Sequence, residues 1–105
     1  MKFKFFSLAI LALFVSNVHA VTECNAKITN YFVGTSELNQ SDAILWISFD
    51  GGSASISSKS AAFDGILSTV ITSIATDKIV KLRYLTDNTE CKNHHSDWVG
   101  MWMYK

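Results

Sequence analysis

"SAAFDGILSTVITSIATDK", residues 60–78, separates a fold with a helix at its middle from one made of strands alone. Its apolar residues fall at 63, 66, 67, 70, 71, 74 and 75, which is one face of a 3.6-residue period, and no period-two alternation fits them. Val70, Ile71, Ile74, several threonines and Gly65 lower intrinsic helix propensity, so a strand is the competing reading. The spacing predicts a helix, with Ser60 as its N-cap and Asp64 at the positive end of its dipole.

The stretches around it read as strands. "AKITNYFV" (26–33) is β-branched and aromatic, and the polar "GTSELNQSD" after it is a loop. "AILWISF" (43–49) is apolar on much of both faces. "DGG" (50–52) is a hairpin signal, because Asp-Gly tolerates the positive backbone angles of tight turns. "SASIS" (53–57) returns with Ala54 and Ile56 on one side. Beyond the helix come the strand "IVKLRYL" (79–85), the polar loop "TDNTECKNHHSD" (86–97) and a last strand "WVGMWMY" (98–104). In that strand, alternation sets Val99, Met101 and Met103 against Trp98, Gly100, Trp102 and Tyr104. Three strands, a helix and two strands describe a mainly β protein, a five-stranded OB-fold barrel with its helix between strands three and four.

The first twenty of the 105 residues stand apart from this pattern. A basic start (Lys2, Lys4), an apolar run from Phe5 to Val15 and the small-residue site Val18-His19-Ala20 have the layout of a secretory signal peptide. The run is shorter than the roughly 18–20 apolar residues of a spanning helix. The expected division is therefore 1–20 leader and 21–105 one exported domain. Without Lys2 and Lys4 the domain carries seven basic and nine acidic residues, a net charge of −2. It has no basic run with which to neutralise phosphates, and Lys81 with Arg83 is too little for a single-strand groove, so nucleic acid is a poor partner. Two cysteines, Cys24 and Cys91, in a small exported domain read as a disulfide.

The order of these segments resembles the small pentamer-forming B subunits of bacterial AB toxins. The likeness to cholera and heat-labile enterotoxin B lies in "VTEC" (21–24), "ISFDGG" (47–52) and "KLRYLT" (81–86), with a cysteine downstream. The likeness to Shiga toxin B lies in "EC" opening the domain, the Ser/Thr-rich "ILSTVITSIATDKIVKL" (66–82) and a cysteine followed by an aromatic strand. The resemblance spans the domain, though each motif is short. It implies an OB-fold protomer, five copies of which close into a ring that binds host-cell glycans, and a disulfide matching Cys24 to Cys91. It also implies a separate catalytic A chain to be delivered. Enterotoxin B subunits have a ganglioside-stacking tryptophan two residues past the second cysteine, where this chain has Asn93, and their first loop is much longer. Sugar specificity is thus not carried over.

For glycan binding the candidates are Trp98 as an aromatic platform with Asn93, His94, His95 and Asp97 supplying hydrogen bonds, and Asp87 and Asn88 as outlying members. The bland alternative is a solvated loop with Trp98 packed at an interface. Trp46, Trp102 and Tyr104, at regular strand positions, are expected in packing or at an oligomer interface. Cys91, His94 and His95 do not make a metal site, since adjacent histidines point apart in an extended chain and the cysteine is oxidised. No nucleophile–base–orienter set is recognisable, so neither catalysis nor a cofactor is expected. The function expected is that of a ring-forming, glycan-binding toxin B-like subunit. The competing expectation is an exported protein of the same fold that binds or inhibits a protein partner without an A chain.

Overall fold

The computed structural model describes residues 20–105, so the leader expected at 1–20 lies outside the described residues except for Ala20. The chain runs β1 (Thr22–Ala26), β2 (Ile28–Gly34), β3 (Ile44–Phe49), β4 (Gly52–Ser57), α1 (Phe63–Ala75), β5 (Val80–Tyr84), β6 (His94–His95) and β7 (Trp98–Met103). The strands form a sheet in the order β1-β5-β7 and a second in the order β2-β3-β4-β6. The protein is mainly β with one helix, as expected; among the described residues the ladders form these two sheets and no closed barrel.

The first strand differs from the expected 26–33. Burial alternates without interruption from Thr22 through Cys24 and Ala26 to Ile28, yet the chain changes sheets at Lys27. One continuous ribbon thus serves both sheets, as strands do where they pass from one sheet to another. A bulge follows at once. Ile28 pairs with Phe49 and Asn30 with Ser48, leaving Thr29 as the extra residue. From there Phe32 stands opposite Trp46 on the outer face, while Tyr31 and Val33 stand opposite Ile47 and Leu45 on the inner one.

The helix forms where the period predicted it, two to three residues shorter at each end. Ser60 is not its N-cap. That position is Ala62, which makes no side-chain cap bond, and the Ser60 hydroxyl instead accepts the Ala62 N–H one turn earlier, at 3.2 Å. The buried side is Phe63, Ile66, Val70 and Ser73, flanked by Leu67 and Ile74. Ile71 and Ala75 lie outside it, because at about 100° per residue they are carried roughly a quarter-turn or more from the centre of that stripe.

A core built from both sheets and the helix contains Leu45, Ile47, Ala54, Val70, Val80, Leu82, Tyr84 and Trp98, all close to fully buried. Burying each large apolar side chain contributes about 1.5–3 kcal/mol before the entropy of ordering is subtracted. The turn between β3 and β4 uses both of its glycines. Gly51 has a φ of 83°, and a Cβ at Gly52 would fall 2.7 Å from the Cys91 carbonyl oxygen. The hairpin predicted from "DGG" therefore also seats the cysteine loop. Cys24 and Cys91 form a disulfide with a Cα–Cα distance of 5.7 Å across 67 residues of sequence, tying β1 to that loop.

Candidate ligand-binding surfaces

The last strand decides which residues can meet a ligand. Tyr84 pairs with Trp98 and Arg83 with Gly100, so Val99 is an extra residue in β7. This bulge breaks the alternation expected for 98–104. It turns Trp98 inward beside Tyr84, puts Met101 opposite Leu82, and sends Gly100 and Trp102 outward opposite Arg83 and Lys81. Trp98 is 2% exposed and its indole N–H donates to the Gly100 carbonyl at 2.9 Å. A ring held in the core has no free face for a pyranose. The expected platform is corrected to a packing residue.

Two of its intended companions are also structural. His95 is buried, stacked on Tyr84 with ring centroids 3.9 Å apart, and its Nε2–H donates to the Glu90 carbonyl at 2.6 Å. Asp97 accepts the Thr86 N–H at 2.7 Å and the Thr86 hydroxyl at 2.5 Å, with His95 Nδ1 3.7 Å away. Desolvation by itself would raise the Asp97 carboxyl, but the two Thr86 donors and the neighbouring imidazole outweigh it and lower the pKa. Burial, and then the Asp97 charge, push the Tyr84 phenol well above its ordinary value. At the other end of the loop the Thr22 hydroxyl donates to the Thr86 carbonyl and accepts the Thr89 N–H. With the disulfide, these bonds make 86–97 a fastened strap. Asp87, Asn88 and Asn93 are exposed on it, separated from the ring they were expected to surround.

His94 faces the other way, as expected of adjacent histidines in an extended segment. The two-residue strand β6, unforeseen in a stretch expected to be loop, pairs parallel to β4 and carries His94 onto the outer face of its sheet. There it stacks on Trp46 with centroids 4.0 Å apart and planes 14° from parallel, its two ring nitrogens 2.8 and 3.2 Å from the Ser53 and Ser55 hydroxyls. Trp46 is 41% exposed. Beside it Phe32 and Ile44 floor a groove of about 350 Å³, rimmed by Thr35, Ser36, Gln40 and Asp42. Gln40 Oε1 accepts from Ser36 N, Ser36 Oγ and Glu37 N at 3.0–3.3 Å, which fixes the loop between β2 and β3 and leaves the amide NH₂ outside those bonds. Asp42 meets Lys59 through Oδ2 at 3.3 Å. Sequence reasoning passed over this groove, since "GTSELNQSD" carries only the composition of a connector.

The outer face of the other sheet holds a second cluster. Trp102, 47% exposed, donates its indole N–H to Glu23 Oε2 at 2.9 Å, and Arg83 Nε reaches the same oxygen at 3.0 Å. The indole N–H and then the guanidinium lower the Glu23 pKa. Arg83 lies over the Trp102 ring, Lys81 over the Tyr104 ring, and the two rings stack on each other with centroids 6.4 Å apart. Trp46, Trp102 and Tyr104 are therefore surface groups, available to an interface or a ligand.

Among the described residues no three His, Cys, Asp or Glu side chains converge as round a metal, and no helix is long and apolar enough to cross a membrane. No protein-family profile, curated protein or solved structure matches the chain.

Proposed function

We propose that residues 21–105 form an exported, OB-type B-like subunit that assembles head to tail into a ring, most simply a pentamer, and attaches to cell-surface glycans so as to deliver a separate catalytic A chain. The OB reading is supported by the ribbon that passes from one sheet to the other at Lys27 and by the helix inserted between β4 and β5. The disulfide and the absence of a membrane-spanning helix among the described residues suit export.

The observation that carries the assembly is a pair of unlike open edges. β2 ends one sheet with Tyr31, Phe32 and Val33 all exposed, so it is apolar on both faces; β7 ends the other with Trp102 and Met103 exposed and Tyr104 exposed just past its end. An unpaired apolar edge is a site for strand addition unless something protects it. Joining β7 of one copy to β2 of the next satisfies both, and a rotation that closes leaves neither of these two edges open. Several weak sugar sites facing one membrane then act together. Native mass spectrometry of the oxidised exported protein, followed by a glycan array on the same sample, is the test. A closed oligomer that binds immobilised sugars is expected; a monomer at micromolar concentration overturns the ring.

The same edges favour one second reading, in which a strand of a different protein adds to β2 or β7 and no A chain is involved. A stable one-to-one complex with such a partner, formed by the monomer, would select it.

A further inference from the structure

We infer that the groove between β3 and the loop after β2 is the saccharide site, and that it takes a neutral pyranose against Trp46 and Phe32. The inference rests on the glycan-binding reading above and gives it a place. Sugar recognition needs two things at once: an aromatic surface for the C–H face of the ring, and planar side chains that donate and accept at its hydroxyls. Phe32 and Trp46 are direct cross-strand partners on the outer face, so their rings form one continuous floor with Ile44 beside them. The volume of about 350 Å³ is at the small end of the roughly 300–1,000 Å³ usual for ligand clefts, which suits one or two sugar rings.

The floor and rim are held before any ligand arrives. Trp46 is backed by the stacked His94, itself anchored between Ser53 and Ser55. Gln40 has its oxygen committed to three donors of its own loop, which orients the NH₂ group outward as a donor. Asp42 Oδ2 is engaged by Lys59, and Oδ1 is left as an acceptor. Rim groups that are already placed lose little entropy on binding. The groove lining includes one acidic residue, Asp42, whose cation partner Lys59 stands outside it, and no basic residue, which suits a neutral sugar better than an acidic one. The Trp102 cluster is less suited, because its indole N–H and its carboxylate already satisfy one another.

Ligand-observed NMR on the oxidised protein tests this, with methyl glycosides of neutral hexoses and N-acetylhexosamines as probes and a sialic acid methyl glycoside as the acidic comparison. Trp46→Ala and Asp42→Ala should each weaken binding of the neutral probe by about tenfold or more, and Asn93→Ala, on the strap, should leave it unchanged. Asp42→Ala removes a surface ion pair and a long, exposed Ser41 hydroxyl contact, and so reports without unfolding the protein. Wild-type binding that survives both groove substitutions, or that is lost with Asn93→Ala instead, overturns the site while the glycan-binding reading stands. No binding by wild type to any glycoside or array sugar overturns both. Loss of the oligomer in Trp46→Ala, with sugar still bound by Asp42→Ala, assigns Trp46 to the subunit contact and also overturns the site.

Discussion

The two outer sheet faces each display an indole about half exposed, and they treat it in opposite ways. On the β1-β5-β7 sheet, Trp102 is enclosed by charge: Glu23 accepts its N–H, Arg83 lies across its ring, and Lys81 and Tyr104 extend the pattern. On the β2-β3-β4-β6 sheet, Trp46 has an imidazole on one side and an apolar groove on the other, with polar groups only at the rim. A side chain whose hydrogen bonds are already made gains little from a new partner. One whose neighbours are apolar, with donors nearby but not against it, gains much. The contrast separates a self-satisfied surface from a receptive one, and it depends on the Val99 bulge, which keeps Trp98 inside and so leaves one indole per face.

The sharpest way to break the comparison is Trp98→Ala. It should cost about 3–5 kcal/mol of stability as a core truncation, seen as a lower denaturation midpoint, with both surface indoles retained. Loss of sugar binding without loss of stability would instead return Trp98 to the surface. The disulfide is the covalent tie between β1 of one sheet and the strap that feeds β6 of the other. Its removal by Cys24→Ser with Cys91→Ser should cost about 2–5 kcal/mol, measured by chemical denaturation, and should loosen His94 from Trp46.

A smaller loss, about 1–2 kcal/mol, is expected for Asp97→Asn, which weakens the bonds from Thr86. The folded carboxyl titrates below its ordinary 3.8, so the unfolded chain takes up the proton first as the pH falls. The contribution of Asp97 is thus complete above that value and is lost as the pH drops through the folded pKa. Wild type and Asp97→Asn should converge in stability in acid, which denaturation at a series of pH values will show. The smallest effect belongs to Glu23→Gln. This exposed group should leave the denaturation midpoint unmoved, while the Trp102 fluorescence changes and the wild-type acid transition of that signal, centred below the ordinary 4.5, disappears.

The elements that announce themselves by period were legible in the sequence. Residues 63–75 repeat every 3.6 positions, 44–49 and 80–84 every two, and the structure has a helix and strands there. The "DGG" turn and the Cys24–Cys91 pair were legible because their chemistry is local or because no other partner existed. What escaped was the set of single-residue irregularities. The extra residues Thr29 and Val99 are β-branched types ordinary in any strand and carry no compositional mark, yet each shifts the face alternation beyond it on its strand. The expected glycan loop failed at that point, since Trp98 was read as the aromatic closing a polar loop, whereas the bulge after it turns the ring into the core. β6 escaped for another reason: two histidines become a strand only because β4 lies alongside them. The groove lies on "ITNYFVG", where three consecutive apolar residues leave the outer face unassignable without the register.

The unlikeness of the β2 and β7 edges has a consequence for how the protein must be handled. Under the proposed assembly, two copies that meet through them would still present one free β2 and one free β7, so a pairwise contact would not be a finished product. In the proposed ring the number of copies would be governed by a single angle between neighbours, and a substitution near either edge that opens this angle by a few degrees would turn a countable particle into a growing filament. Turbidity that rises with concentration, and is seeded by preformed aggregate, would be the mark of such a variant.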